Sequence, residues 1–95
     1  MMNLITFAFT IASEKQAAFV QAVEALQKRW RSENITVSLF RDAAQTQRLL
    51  LLFLTEKPVD EVTQMIKDAD RAGALVEYLK TAEGSIAVSC MEQVL

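Results

Sequence analysis

The chain has 95 residues, of which 52% are hydrophobic and 23% charged, and its net charge is -2. This length suits one core, so we predict a single domain over residues 1–95. The slightly acidic balance argues against nucleic-acid binding, which calls for a basic surface. The chain has no 18-residue apolar run, no basic leader segment and only one cysteine, Cys90. We therefore predict a cytoplasmic protein that does not enter the membrane.

The first third of the chain predicts a strand followed by a helix. Residues 3–12 alternate between large apolar side chains and small or polar ones, which is the period of a strand. Ser13 and Gln16 have the spacing of a capping box, which predicts a helix over about residues 14–32. Its buried stripe is expected to contain Phe19, Val23, Leu26 and Trp30.

The middle of the chain predicts a hairpin whose second strand is unusual. Residues 35–40 alternate, residues 42–47 form a short polar connection, and residues 49–54 are six consecutive apolar residues. Because a strand sends alternate side chains to opposite faces, this third strand must be apolar on both faces. Helices of the chain can cover one face, and we predict that a second copy of the protein covers the other.

The second half of the chain predicts an interrupted helical region and a last strand. Pro58, Asp60 and Glu61 suit a helix start, and Gly73 predicts either two consecutive helices or one kinked helix. Gly84 is expected to end this region, and residues 86–91 alternate as a strand. The buried stripes are expected to contain Val62, Met65, Ile66 and Ala69, then Leu75, Val76 and Leu79.

The resulting order is β-α-β-β-α-β, which predicts a ferredoxin-like α+β fold with a four-stranded antiparallel sheet. Cys90 falls on the apolar side of the last strand and is expected to be a small buried hydrophobe. The face expected against the helices contains Ile5, Phe7, Phe9, Ile35, Val37, Leu39, Ile86 and Val88. The opposite face is expected to form a homodimer contact. It contains leucines of the third strand together with Thr6, Ala8, Thr10, Thr36, Ser38, Ala87 and Ser89.

The sequence contains no catalytic motif. Without histidine there is no imidazole base and no usual zinc site, and no glycine-rich loop is present to hold a phosphate, so we predict neither a metal nor a cofactor. The acidic pairs at residues 60–61 and 68–70 suit solvated helix ends rather than paired acid-base groups. Arg41 and Asp42 are expected to cap or pair within the hairpin, with orientation of a polar ligand group as the alternative.

One segment carries a family resemblance. Leu39-Phe40-Arg41-Asp42 followed by Gln47-Arg48-Leu49-Leu50 looks like an aromatic-Arg-Asp hairpin that leads into an apolar third strand. Together with the strand-helix order, the length and the break near residues 71–73, it resembles the antibiotic-biosynthesis monooxygenase superfamily of dimeric α+β barrels. The resemblance implies two ferredoxin-like sheets packed face to face, and a pocket between sheet and helices in each subunit.

The resemblance also suggests candidate site residues. Members that degrade haem use a histidine on the second helix, and this sequence contains no histidine. Many members also carry an acidic residue and a tryptophan toward the end of the third strand, where residues 53–55 of this chain are mainly apolar. Members that need no cofactor rely on asparagine, tryptophan or tyrosine near the pocket. Asn3, Trp30 and Tyr78 are therefore candidate catalytic contacts. Each also has a structural interpretation, as a strand-edge residue, a core residue and a surface-packing residue respectively.

Two functions from different classes follow. The first is a monooxygenase that acts on a small aromatic or quinone-like substrate without a cofactor. The second is a non-catalytic homodimer that binds a small apolar ligand or stabilises a partner. A regulatory amino-acid-binding module has the same strand order, but the scarcity of glycine in the loops argues against it.

Overall fold

A computed structural model describes all 95 residues, and its elements follow the predicted order. Strand β1 (Asn3–Thr10) leads into helix α1 (Ser13–Trp30), which ends in a 3₁₀ turn at Arg31–Glu33. Strands β2 (Thr36–Arg41) and β3 (Arg48–Thr55) form the hairpin. Three short helices, α2 (Val59–Lys67), α3 (Ala69–Ala72) and α4 (Leu75–Lys80), precede strand β4 (Glu83–Glu92).

The four strands form one antiparallel sheet in the order β2-β3-β1-β4. The register places Phe7 of β1 between Leu51 of β3 and Val88 of β4. Directly opposed residues of antiparallel strands point to the same face, so these three side chains lie on one side of the sheet. The predicted ferredoxin-like α+β fold is confirmed.

The hydrophobic core lies between the helices and one face of the sheet. From β3 it takes Leu49, Leu51 and Phe53, which are all buried. Edge-on aromatic contacts fix the packing, with ring centroids 5.7 Å apart for Phe7 and Phe53 and 5.3 Å apart for Phe9 and Phe19. The predicted stripe of α1 is confirmed, because Phe19, Val23, Leu26 and Trp30 are all buried.

The opposite face of the sheet, called the open face below, carries the alternate side chains of β3 and their neighbours. Leu50 and Leu52 are half-buried, and Leu54 is 38% exposed. Phe40 of β2 and Met91 of β4 lie on the same side and are 56% and 61% exposed. The prediction that the third strand is apolar on both faces is confirmed. Its neighbours on the open face also include Leu4, Thr6, Ala8, Thr36, Ser38, Ala87 and Ser89.

The predicted capping box at the start of α1 is wrong. Residue Ala12 holds the cap position, and no side chain caps the helix there. Gln16 is buried, and its Nε2 donates to the carbonyl oxygens of Ile11 at 3.2 Å and Thr46 at 2.8 Å. The Gln16 amide therefore bonds two loop carbonyls, one of them buried, in place of a local cap.

The second helical region is divided twice, at Asp68 and at Gly73. Gly73 ends α3 with φ 64° and ψ −136°, so the predicted break at this glycine is confirmed. The break at Asp68 was not predicted. There the chain becomes extended, and Asp68 Oδ1 accepts from the backbone N–H of Asp70 at 3.1 Å, which caps α3.

Gly84 does not end the helical region as predicted. Helix α4 ends at Lys80, and Thr81 closes it through its backbone N–H. Gly84 lies inside β4 with φ 74°, close to an irregularity in the pairing of β4 with β1. A bulge of this kind favours glycine because the backbone enters the left-handed region there.

The predicted burial of β4 is wrong, although the predicted face is right. Cys90 pairs with Ile5 and Val88 pairs with Phe7, so both face the helix side of the sheet. Cys90 is nevertheless exposed, and Ile86 and Val88 are 37% and 52% exposed. The helices bury the core residues of β1, β2 and β3 on this side and leave the edge strand β4 largely uncovered. None of the helices has the length and apolar composition needed to cross a membrane.

Candidate functional site

A cleft opens where the helices fail to cover β4. It has a volume of about 380 Å³ and lies between α2, α3 and α4 on one side and β4 on the other. Apolar side chains form most of its surface, and two lysines complete it. Its lining residues are Ile66, Lys67, Ala69, Val76, Leu79, Lys80 and Ile86. This volume lies at the small end of the usual range for ligand pockets.

Asn3 holds the start of β1 to the loop that follows β3. Its Nδ2 donates to the carbonyl oxygen of Lys57 at 3.0 Å, and its backbone is opposite Thr55 in the sheet. One amide hydrogen of this candidate contact is therefore engaged by the fold itself.

Trp30 lies in the core beneath the break between α3 and α4. Its side chain is only 2% exposed, and its ring centroid is 5.3 Å from that of Phe53. Its Nε1–H donates to the carbonyl oxygen of Arg71 at 3.2 Å. The single donor of the indole is thus used to attach α1 to α3.

Tyr78 is the one candidate on a helix that lines the cleft. It is half-buried, and its ring meets the edge of Phe19 at a centroid distance of 6.3 Å. Phe19 in turn packs on Phe9, six residues along β1 from Asn3, which is about 20 Å of strand. The structure therefore places Asn3 and Tyr78 at opposite ends of the sheet and does not bring the three candidates together.

Asp42 organises the β2–β3 hairpin. Its Oδ1 accepts from the backbone N–H groups of Ala44 at 2.8 Å and Gln45 at 3.1 Å. These two bonds stabilise the carboxylate and lower the pKa of Asp42 below 3.8, with a smaller contribution from the charge of Arg48. The predicted capping role is confirmed. A second cavity, of about 290 Å³, lies beside it and is lined by Ala8, Phe40, Arg41, Asp42, Arg48, Leu49 and Leu50.

Lys67 and Lys80 were not recognised in the sequence as site residues. They end α2 and α4 respectively, and they meet at the cleft only because the chain turns at Asp68 and again at Gly73. The sequence shows a lysine after each apolar stripe, which is common at helix ends, and nothing in it brings the two together. No group of three or more metal-ligating side chains converges anywhere in the structure.

Comparison with known proteins identifies the fold of this chain but not its activity. No protein-family model matches the sequence, and no curated protein matches it. A solved structure from Bordetella bronchiseptica, described as a candidate antibiotic biosynthesis monooxygenase, is 18% identical, with a TM-score of 0.76 over 99% of this chain and 98% of that one. A similarly described protein from Nitrosomonas europaea is 11% identical, with a TM-score of 0.78 over 98% and 90% of the two chains.

Another solved structure, a conserved protein from Methanosarcina mazei Go1, is 9% identical, with a TM-score of 0.78 over 98% and 93% of the two chains. These full-length similarities confirm the predicted resemblance at the level of the fold. The chain has the α+β fold seen in proteins described as candidate antibiotic biosynthesis monooxygenases.

Proposed function

We propose that this protein binds a small aromatic or quinone-like molecule in the cleft between its helices and β4, and oxygenates it without a cofactor. The observation that carries the proposal is the full-length structural similarity to candidate antibiotic biosynthesis monooxygenases. The apolar cleft supports it, because it lies between sheet and helices, where the resemblance implies a pocket. A shared fold does not by itself establish a shared activity, so the proposed activity needs a direct test.

The proposed reaction requires of the protein mainly a pocket that holds the substrate and excludes water. The substrate reacts as the keto tautomer of a hydroquinone, which contains a CH₂ carbon and supplies the electrons, and dioxygen is the oxidant. A CH₂ carbon of the substrate becomes a carbonyl by taking one oxygen atom, while the other atom leaves as water with the two hydrogens of that carbon. In this proposal the side chains of Ile66, Val76 and Leu79 pack against the bound substrate and exclude water from that side of the reacting carbon, which protects the intermediates from side reactions.

Oxygen uptake with a panel of hydroquinones and their keto tautomers tests this proposal. The wild-type protein should consume oxygen faster than buffer does. Ala69→Trp should abolish the extra uptake by filling the cleft. Ala43→Trp, the same substitution in the exposed hairpin, should leave it unchanged. Absence of uptake above buffer, or equal uptake by Ala69→Trp and wild type, would count against oxygenation in the cleft.

A non-catalytic binding function is the second candidate, and the hydrogen bonds of the structure favour it. One side-chain N–H of Asn3 and the indole N–H of Trp30, both candidate substrate contacts, are bonded to backbone carbonyls. The titratable side chains of the cleft are Lys67 and Lys80. Under this alternative a ligand stabilises the protein against heat without any oxygen uptake, whereas a reproducible turnover lost in Ala69→Trp would exclude it.

We also propose that the protein is a homodimer through its open face. Phe40, Leu54 and Met91 expose large apolar surfaces there, and a patch of this kind on a soluble domain marks an interaction site. The small residues Ala8 and Ala87 lie in the same row across the sheet as Phe40 and allow a second sheet to approach closely. The hydrogen bond between the hydroxyls of Thr6 and Ser89 satisfies polar groups that such a contact would bury.

A further inference from the structure

We infer that the cleft selects an aromatic acid, and that Lys67 and Lys80 bind the anionic group of that ligand at its mouth. The inference rests on the proposed binding of a small molecule in the cleft and names the chemical class of that molecule. Its basis is the composition of the lining, in which two cations are combined with five apolar side chains.

The two lysines reach the cleft from different helices. Lys67 is the last residue of α2 and Lys80 is the last residue of α4, and both line the same cavity. A lysine at a helix end complements the negative end of the helix dipole, which explains each residue taken alone. It does not explain why two such residues line one cavity.

Neither lysine has a partner that neutralises it. The ion pairs of the protein join Lys57 to Glu33 and Glu61, and Arg71 to Glu33. Asp68, the acidic neighbour of Lys67 in the chain, uses its Oδ1 to cap α3. The two ammonium groups are therefore available to an anion.

The rest of the cleft defines the body of the ligand. The walls contributed by Ile66, Val76, Leu79 and Ile86 offer no hydrogen-bonding side chain, so they suit a flat apolar ring system. A cavity of about 380 Å³ holds a fused bicyclic ring and leaves the lysines at the edge. With a carboxylate on the ring directed to the mouth of the cleft, the charged group contacts the two lysines and the ring contacts the apolar walls.

Binding of 2-naphthoate and of its neutral counterpart 2-naphthamide, measured by calorimetry, tests the inference. The two probes share one ring body and differ in charge. The wild-type protein should bind the acid about tenfold more tightly, because two exposed ion pairs are modest in strength. This preference should weaken as salt is added. It should vanish in the double variant Lys67→Gln/Lys80→Gln, while the affinity for the amide stays unchanged.

The matched control is Lys28→Gln, which removes the same charge from the exposed side of α1 and should retain the preference. Equal affinity for acid and amide in the wild-type protein would overturn the inference while leaving the cleft as a binding site. A preference that survives in the double variant would overturn it as well. Failure of both probes to bind would contradict binding in the cleft, and the proposed function and this inference would fall together.

Discussion

Replacing Leu52 with glutamate should convert the proposed homodimer into a folded monomer. Leu52 lies near the middle of the open face, between Thr6 on one neighbouring strand and Ser38 on the other. In a monomer the new carboxylate points to solvent beside two hydroxyl groups, so the fold should tolerate it. In a dimer formed through this face, the same carboxylate is buried without a partner.

The magnitude follows from the cost of burying a charge. An unpaired carboxylate costs several kcal/mol when it is buried, and about 3 kcal/mol is a modest value. A dimer contains two copies of the substitution, so its dissociation free energy should fall by about 6 kcal/mol. Since each 1.4 kcal/mol is a factor of ten, the dissociation constant should rise about ten-thousandfold.

Sedimentation equilibrium over a wide concentration range measures this change, with far-UV circular dichroism as the check on folding. The wild-type protein should sediment at twice the chain mass of 10.7 kDa, and Leu52→Glu should sediment at the chain mass. Val20→Glu is the matched control, because Val20 is an exposed apolar residue on α1, away from the open face. A wild-type monomer, or a Leu52→Glu dimer of unchanged affinity, would refute the proposed contact.

Three further predictions concern the supports of the fold. Trp30→Phe should lower the free energy of unfolding by about 2 kcal/mol in urea titrations, because it leaves the carbonyl of Arg71 without its indole donor. Gly73→Ala should destabilise the protein more than Gly84→Ala, because an added Cβ lies 3.1 Å from a side-chain nitrogen at Gly73 and meets nothing within 4 Å at Gly84. The carboxyl of Asp42 should titrate in NMR below pH 3.8. Because this pKa is depressed by folding, its stabilising contribution is present above the unfolded value and is lost as pH falls through the folded value.

Each of these predictions has a clear contrary result. An unchanged urea midpoint for Trp30→Phe would mean that the indole hydrogen bond adds nothing to stability. Equal destabilisation by the two glycine substitutions would show that backbone strain alone sets the cost, since both positions have positive φ. An NMR midpoint at or above 3.8 for Asp42 would show that the hairpin bonds do not persist in solution.

The parts of the fold that were predictable depend on local periodicity. The alternation along β3 assigns Leu51 to one face and Leu52 to the other, whatever surrounds the strand. The spacing of Phe19, Val23 and Leu26 likewise defines one side of α1 without reference to its partner. Short-range turn chemistry was equally informative, since Asp42 caps the hairpin through residues two and three positions ahead.

The parts that were not predictable depend on how far one element reaches over another. The pattern of β4 shows that Val88 and Cys90 face the helices, but it carries no information on whether a helix lies above them. Both residues are exposed because α2, α3 and α4 do not extend over this edge of the sheet. The apolar spacing also continues from Met65 to Ala69 across Asp68, so it hides the break that shapes the cleft.

The candidate site shows the same limit. Residue type alone makes Asn3, Trp30 and Tyr78 candidates. It does not show whether their polar atoms already form hydrogen bonds within the fold. The bonds of Asn3 and Trp30 to backbone carbonyls depend on elements far away in the chain. Lys67 and Lys80 are each ordinary at the end of their own helix, and only the tertiary structure brings them to one cavity.

Turnover under heavy-isotope dioxygen, with the product analysed by mass spectrometry, tests the proposed oxygenation most directly. Chelator-treated protein should be used with a hydroquinone-type substrate that supports oxygen uptake. The account predicts one heavy oxygen atom in the product and the other in water, with Ala69→Trp inactive. Unlabelled product, hydrogen peroxide formed in place of labelled water, or loss of activity on removal of metal would contradict oxygenation without a cofactor.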